Sequence, residues 1–164
     1  MKIVPLSKMT LKQAQKLLRG TFPKQTRSEN SDFWLAASLD NSYKKRSVWP
    51  ECTWIKYWVA VDKGRVAGIT GLYKTKKDSR NAHWLSWTCV SSACRGRGIG
   101  GMLVDRMIAR SRSDGKKFIR LYTSPRDPVQ KAAQALYRKK GFVKTGSALW
   151  RGKKYKVAFM ELKL

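Results

Sequence analysis

Apolar residues recur along this chain with two different periods, and the places where the period changes divide it into elements. Ile3-Val4-Pro5 has the length of a short edge strand, because Pro5 has no N–H to give to a ladder. Leu11, Ala14, Leu17 and Leu18 then share one face of a helix over 11–19, with Thr10 as N-cap and Gly20 as stop. A second helix is expected over 31–39, opened by Asn30 or Ser31 and burying Phe33, Trp34, Ala37 and Leu39, followed by a loop over 40–54. The β-rich runs 56–62 and 65–73 flank Lys63-Gly64 and predict a hairpin, and a further strand is expected over 84–90.

Beyond residue 90 the period changes. Ile99, Met102, Leu103, Met107 and Ile108 repeat at helical spacing until Asp114-Gly115. A strand over 117–123 follows, then a helix from Pro128 through Leu136 that Gly141 ends, and strands over 142–145 and 155–162. Hairpin, strand, helix, strand, helix and two strands describe a mixed-sheet α/β or α+β domain. A length of 164 residues fits one domain over 1–164.

Charge narrows the choice of function. The 36 Lys+Arg against 10 Asp+Glu give a formal net charge of +26, and residues 1–28 and 128–160 contain no acid. Such a field concentrates anions and repels cations, which disfavours polyamines and aminoglycosides and favours phosphate-bearing ligands, nucleic acids and acidic proteins. At 42% hydrophobic residues, with seven Trp, the chain is too apolar for a disordered basic tail. Cys52, Cys89 and Cys94 lack the spacing of metal ligands and His83 is the sole histidine, so no metal is expected. No leader or membrane span is read, and a cytoplasmic protein is expected. Trp54 and Trp58, with Trp49, read as core and loop anchors ahead of a base-stacking platform.

The chemistry concentrates in Arg95-Gly96-Arg97-Gly98-Ile99-Gly100-Gly101, which stands where a strand gives way to a helix. Free amides of a first helical turn point outward together, and the helix dipole favours an anion there. Glycines let a phosphate approach those amides, while Arg95 and Arg97 add charge. The segment lacks the Gly-Lys-Ser/Thr ending of a P-loop and the acidic residue of a dinucleotide fingerprint. A diphosphate cradle is one reading of it, and a flexible RNA-contacting loop is the other.

Downstream stands Gln130-Lys-Ala-Ala133-Gln-Ala-Leu136-Tyr137-Arg-Lys-Lys-Gly141-Phe142. Together, Arg95-x-x-Gly98-x-Gly100 and Ala133-x-x-Leu136-Tyr137-x-x-x-Gly141-Phe142 resemble the GNAT superfamily of acyl-CoA-dependent N-acetyltransferases, best over 55–145. The resemblance implies a splayed central sheet flanked by helices, with the pantetheine arm of acetyl-CoA along the backbone of Cys89, Val90 and Ser91. It places the pyrophosphate on Arg95–Gly101 and a coenzyme contact at Gln130, where the family often has Asn. It makes Tyr137 the general acid beside the thioester and gives a backbone N–H at Val90 to the oxyanion.

Some members of the family carry a Glu on the strand before the loop, but 83–90 holds no carboxylate. His83 is the available substitute as base, and Ser86 and Thr88 could relay a proton through water. Without a base the acceptor must already be partly neutral, which favours an α-amine over a lysine side chain. The expected activity is direct acetyl transfer to a primary amine on an anionic macromolecule such as tRNA, ribosome or an acidic protein, by a monomer or homodimer. A non-catalytic nucleic-acid-binding module and a small-molecule amine acetyltransferase are the alternatives.

Overall fold

The computed structural model describes residues 1–42, 50–124, 128–149 and 156–164, with Pro128 and Val129 described by backbone alone. Strands β1 (Lys2–Pro5), β2 (Cys52–Asp62), β3 (Arg65–Thr75), β4 (Ala82–Leu85), β5 (Cys89–Val90), β6 (Phe118–Thr123), β7 (Val143–Leu149) and β8 (Lys156–Lys163) form one sheet. Its order is β1-β2-β3-β4-β6-β8-β7, with β5 paired to β3 alone. All pairings are antiparallel except β4 with β6. Helices α1 (Lys8–Thr21) and α2 (Ser31–Asp40) pack on one face of β2 and β3, α3 (Ile99–Ser113) packs on the other, and α4 (Pro128–Lys139) lies between β6 and β7 in the chain.

Several boundaries differ from the sequence reading. Helix α1 begins one turn earlier, with Ser7 rather than Thr10 at its cap, and the Ser7 N–H donates to the Thr10 hydroxyl at 3.1 Å. It also runs through Gly20 to Thr21, because an exposed helix end tolerates a glycine when packing elsewhere holds the helix. Asn30 caps α2 by accepting from the Phe33 N–H at 2.9 Å. The β2–β3 hairpin is longer than its apolar runs, and β2 already starts at Cys52, inside the expected loop. Trp58 is in the core and Trp54 is half-buried, whereas Trp49 lies outside the described residues.

The core has two main parts, one on each face of the sheet. Leu18, Trp34, Leu35, Ile55, Tyr57, Ile69 and Tyr73 fill the side under α1 and α2. Leu72, Leu85, Val104, Met107, Ile119, Tyr137 and Phe142 fill the side under α3 and α4. The Tyr57 ring lies flat on Gly71, its cross-strand partner, where a Cβ would stand 2.4 Å from the ring. That contact positions the Tyr57 hydroxyl over the next strand.

The single strand expected over 84–90 is two strands with an interruption. Leu85 pairs with Leu72 and Cys89 with Ile69, so Ser86, Trp87 and Thr88 oppose only Thr70 and Gly71 on β3. The Ser86 N–H donates to the Gly71 carbonyl at 2.8 Å and the Thr88 and Thr70 hydroxyls meet at 2.8 Å, which leaves Trp87 as the inserted residue of a β-bulge. Strand β4 pairs with β6 from Ala82 to Trp84, while β5 has no β6 partner. The sheet therefore parts between β5 and the end of β6.

Candidate active site

The parting exposes one backbone position. The Ser91 N–H donates to the Ala67 carbonyl at 2.9 Å, and partners alternate along an antiparallel ladder between bonded and non-bonded pairs. Cys89–Ile69 is then a bonded pair and Val90–Gly68 a non-bonded one, so the N–H and C=O of Val90 point away from β3 into the gap. Of the three residues expected to line the pantetheine arm, Val90 alone presents a free N–H, since Cys89 pairs with β3 and Ser91 gives its N–H to Ala67 while its carbonyl accepts from the Cys94 N–H. The Val90 carbonyl accepts from Arg95 Nε at 3.3 Å, while its N–H faces the opening.

At one end of the gap stands the start of α3. Gly98 is its N-cap at φ 75°, a left-handed conformation that costs an L side chain roughly 1–2 kcal/mol. The first helical bond runs from the Met102 N–H to the Gly98 carbonyl, 3.1 Å, so the amides of Ile99, Gly100 and Gly101 precede it and have no acceptor within the helix. The first turn holds no acid and no side chain caps it. A Cβ built at Gly96 or Gly98 meets nothing within 4 Å, which means the approach to these amides is open. Free amides at a helix start with no acid beside them favour an anion.

The cationic side chains around this turn are held by partners. Arg97 reaches Asp62 at 2.8 Å, and the guanidinium lowers the Asp62 pKa. Lys140, which the sequence shows only as one of a basic run, is brought from the end of α4 to Asp105 at 2.6 Å. Its Nζ lies 3.8 Å from where a Gly101 Cβ would stand. No local pattern links residues 101 and 140, so only the packing of α4 on α3 reveals this cation beside the free amides.

At the other end stands Tyr137. It is 6% exposed, its ring is 5.6 Å from that of Phe142, and its phenol faces Thr88 and Cys89. Burial pushes its pKa well above the ordinary value, partly offset by hydrogen bonding to Thr88, so the phenol keeps its proton. Thr88 donates to the Ser86 carbonyl at 2.9 Å, and a hydroxyl has one hydrogen to give. Thr88 also meets the Thr70 hydroxyl at 2.8 Å and hydrogen-bonds the Tyr137 phenol, so it links that phenol to β3. On the other face the Tyr57 hydroxyl meets Ser86 Oγ at 2.8 Å, and Trp87 packs tilted against Phe22 at 4.8 Å. The Cys89 thiol is buried and raised to about 12, first by desolvation, and does not act as a nucleophile at neutral pH.

Two expected residues are engaged elsewhere. His83 is fully buried on β4, stacked on Trp54 at 5.4 Å, with Nδ1 3.0 Å from Ser111 Oγ and Nε2 3.7 Å from Asp114. Desolvation first, then Lys74, lowers its pKa to about 4, against a smaller opposing effect of Asp114. A sealed imidazole that weak has no access to an acceptor amine. Gln130 turns its carbonyl oxygen inward, accepting from the Ser124 N–H and from Thr123 Oγ1 at 3.1 Å, so it ties α4 to the end of β6.

These features have counterparts in known proteins. Residues 14–142 match the acetyltransferase (GNAT) family. Among solved structures, an aminoglycoside 6'-N-acetyltransferase complexed with coenzyme A superposes at a TM-score of 0.73 with 19% identity, over 99% of this chain and 97% of its own. The ribosomal-protein-alanine N-acetyltransferase of Brucella melitensis gives 0.74 at 19% identity over 100% of both chains. Ard1 of Thermoplasma volcanium gives 0.73 at 20%, over 99% of this chain and 97% of that one. At these identities the likeness is one of fold. By sequence the chain has no match among curated proteins. A parted sheet, an open glycine-rich helix start and a matched family sequence carry one conclusion: this chain belongs to the GNAT acetyltransferase family and is an acetyl-CoA-dependent N-acetyltransferase.

Proposed function

We propose that this enzyme acetylates an α-amine borne by an anionic macromolecule, with Tyr137 as general acid and the Val90 N–H as oxyanion donor. Acetyl-CoA, when bound, supplies an acetyl group as a thioester that a neutral amine attacks directly. The free amides of Ile99, Gly100 and Gly101, with Arg95, Arg97 and Lys140 around them, are the residues that would hold its phosphates. Val90 directs an N–H into the parted sheet, where it meets negative charge developing on the acyl oxygen. Tyr137 keeps its proton into the alkaline range and is the donor to the leaving group. Thr88 hydrogen-bonds that phenol and fixes its place beside β5.

The observation that carries the reading is the pairing, across one break in the sheet, of an outward N–H with a protonated phenol. The acceptor class follows from charge and from the missing base. His83 is sealed in the core and 83–90 holds no carboxylate, so the amine must arrive partly neutral. An α-amine of pKa about 8 meets that condition near pH 7 far better than a lysine at about 10.4. A net charge of +26 draws in polyanions and opposes cationic aminoglycosides.

Acetyl-CoA is expected to raise the melting temperature, and labelled acetyl-CoA incubated with a cell extract to mark α-amines on anionic macromolecules, read by mass spectrometry. Tyr137→Phe is expected to lower turnover by about 10²-fold or more at unchanged coenzyme affinity. An unchanged rate removes the acid role, and a clear preference for lysine side chains removes the acceptor class.

A further inference from the structure

Helix α1 carries a charge pattern that helix energetics disfavour. At about 100° per residue, Lys8, Lys12, Lys16 and Arg19 fall within an arc of about 80°, opposite the buried Ala14 and Leu18. All four are exposed. Like charges at i, i+4 cost roughly 0.2–0.5 kcal/mol per pair, and a lysine in the first turn opposes the helix dipole. No acid stands in that turn to compensate. Arg19 is paired with Asp32, but none of the ion pairs among the described residues involves Lys8, Lys12 or Lys16.

The rotation of the helix is fixed, so the stripe has a defined direction. On one flank Gln13 accepts from the Val66 N–H at 2.9 Å, and on the other Gln15 donates to the Asp32 carbonyl at 3.3 Å. The stripe lies between these anchors and faces outward over about 16 Å, at 1.5 Å per residue. Its C-terminal end leads to the active site: Phe22, the residue after α1, packs against Trp87 of the bulge. Exposed Lys24 and Arg27 continue the charge beyond it.

We propose that this face of α1 is a docking track for the phosphodiester backbone of an RNA, which it leads toward the break between β4 and β5. The inference rests on the reading of an acceptor carried by an anionic macromolecule, and it commits to one class. A protein partner's interface requires buried aromatic or aliphatic anchors, and this face offers lysines and amides, with Met9 as its sole exposed large apolar side chain. Phosphate contacts need only charge and hydrogen-bond donors.

The test is fluorescence anisotropy with a labelled 30-nucleotide single-stranded RNA of mixed sequence, titrated over a salt series. The triple variant Lys8→Gln, Lys12→Gln, Lys16→Gln is compared with a control of equal charge at the opposite end of the sheet, Lys144→Gln, Lys156→Gln, Lys163→Gln. The α1 variant is expected to bind at least about tenfold more weakly, with a salt slope lower by about 2, as three lost single-strand phosphate contacts require. The control is expected to keep the wild-type slope. Equal losses in both variants would show diffuse attraction and overturn the track, as would unchanged RNA binding by the α1 variant. Loss of poly-glutamate binding with RNA binding intact would do the same. The melting shift given by acetyl-CoA is measured on the same samples, so failure of the coenzyme site is read apart from failure of the track.

Discussion

At the scale of single residues, one backbone amide and one phenol are set by neighbours distant in sequence. Tyr137 is a helix residue whose hydroxyl would hydrogen-bond anywhere; it acquires an orientation because Thr88, itself fixed by Thr70 and the Ser86 carbonyl, hydrogen-bonds it. His83 has the opposite fate. A histidine at the start of a strand reads as accessible, yet Ser111 of α3 and the indole of Trp54 stand against it, it is fully buried, and no described group hydrogen-bonds its Nε2. Its folded pKa of about 4 lies below the ordinary 6.5, so the unfolded chain binds the extra proton between those values. Its contribution to stability is fully present above pH 6.5 and is lost as pH falls toward 4, an effect on the order of 3 kcal/mol. Thermal melts from pH 7 to 4.5 are expected to show this loss, and His83→Asn, less stable at pH 7, to show a flatter profile over that window. An equal pH slope in the variant would place the titration elsewhere.

At the scale of elements, the decisive feature is the inserted Trp87. A bulge turns Val90 into a residue whose N–H faces away from its partner strand, and the same interruption lets β5 leave β6 while β4 still pairs with it. The alternating pattern His-Trp-Leu-Ser-Trp-Thr-Cys-Val carries no trace of this, since the bulge is a count of residues on two strands. The start of α3, by contrast, is legible: glycines between a strand and an apolar helical repeat announce open amides. Gly98→Ala is expected to cost about 1–2 kcal/mol, from the left-handed φ alone, because its Cβ would meet nothing. It also turns the first amides of α3, so the acetyl-CoA KM is expected to rise by more than the melting temperature falls. A stability loss with unchanged KM would separate Gly98 from the coenzyme.

At the scale of the whole molecule, +26 over 164 residues means strong self-repulsion in the folded state. Most of the salt bridges among the described residues sit at the molecule's own seams: Arg97–Asp62 joins the loop before α3 to β2, Lys140–Asp105 joins α4 to α3, and Arg120 holds both Asp78 and Glu161. Added salt screens these pairs and the repulsion together, and the repulsion involves far more charges. The melting temperature is therefore expected to rise between 50 and 300 mM salt. A fall would show that the seams dominate. No helix among the described residues is long and apolar enough to cross a membrane.

The sequence by itself determined the order of elements, the glycine-rich helix start, the tyrosine of the second motif and the sign of the field, because each is written in local periodicity, local conformation or a sum over residues. The tertiary structure decided where the sheet parts, that Val90 rather than Cys89 or Ser91 presents its amide, that His83 is sealed away and that Lys140 stands beside Gly101. Those four outcomes depend on which strands pair and which faces pack, and pairing joins positions whose separation along the chain carries no signal of its own.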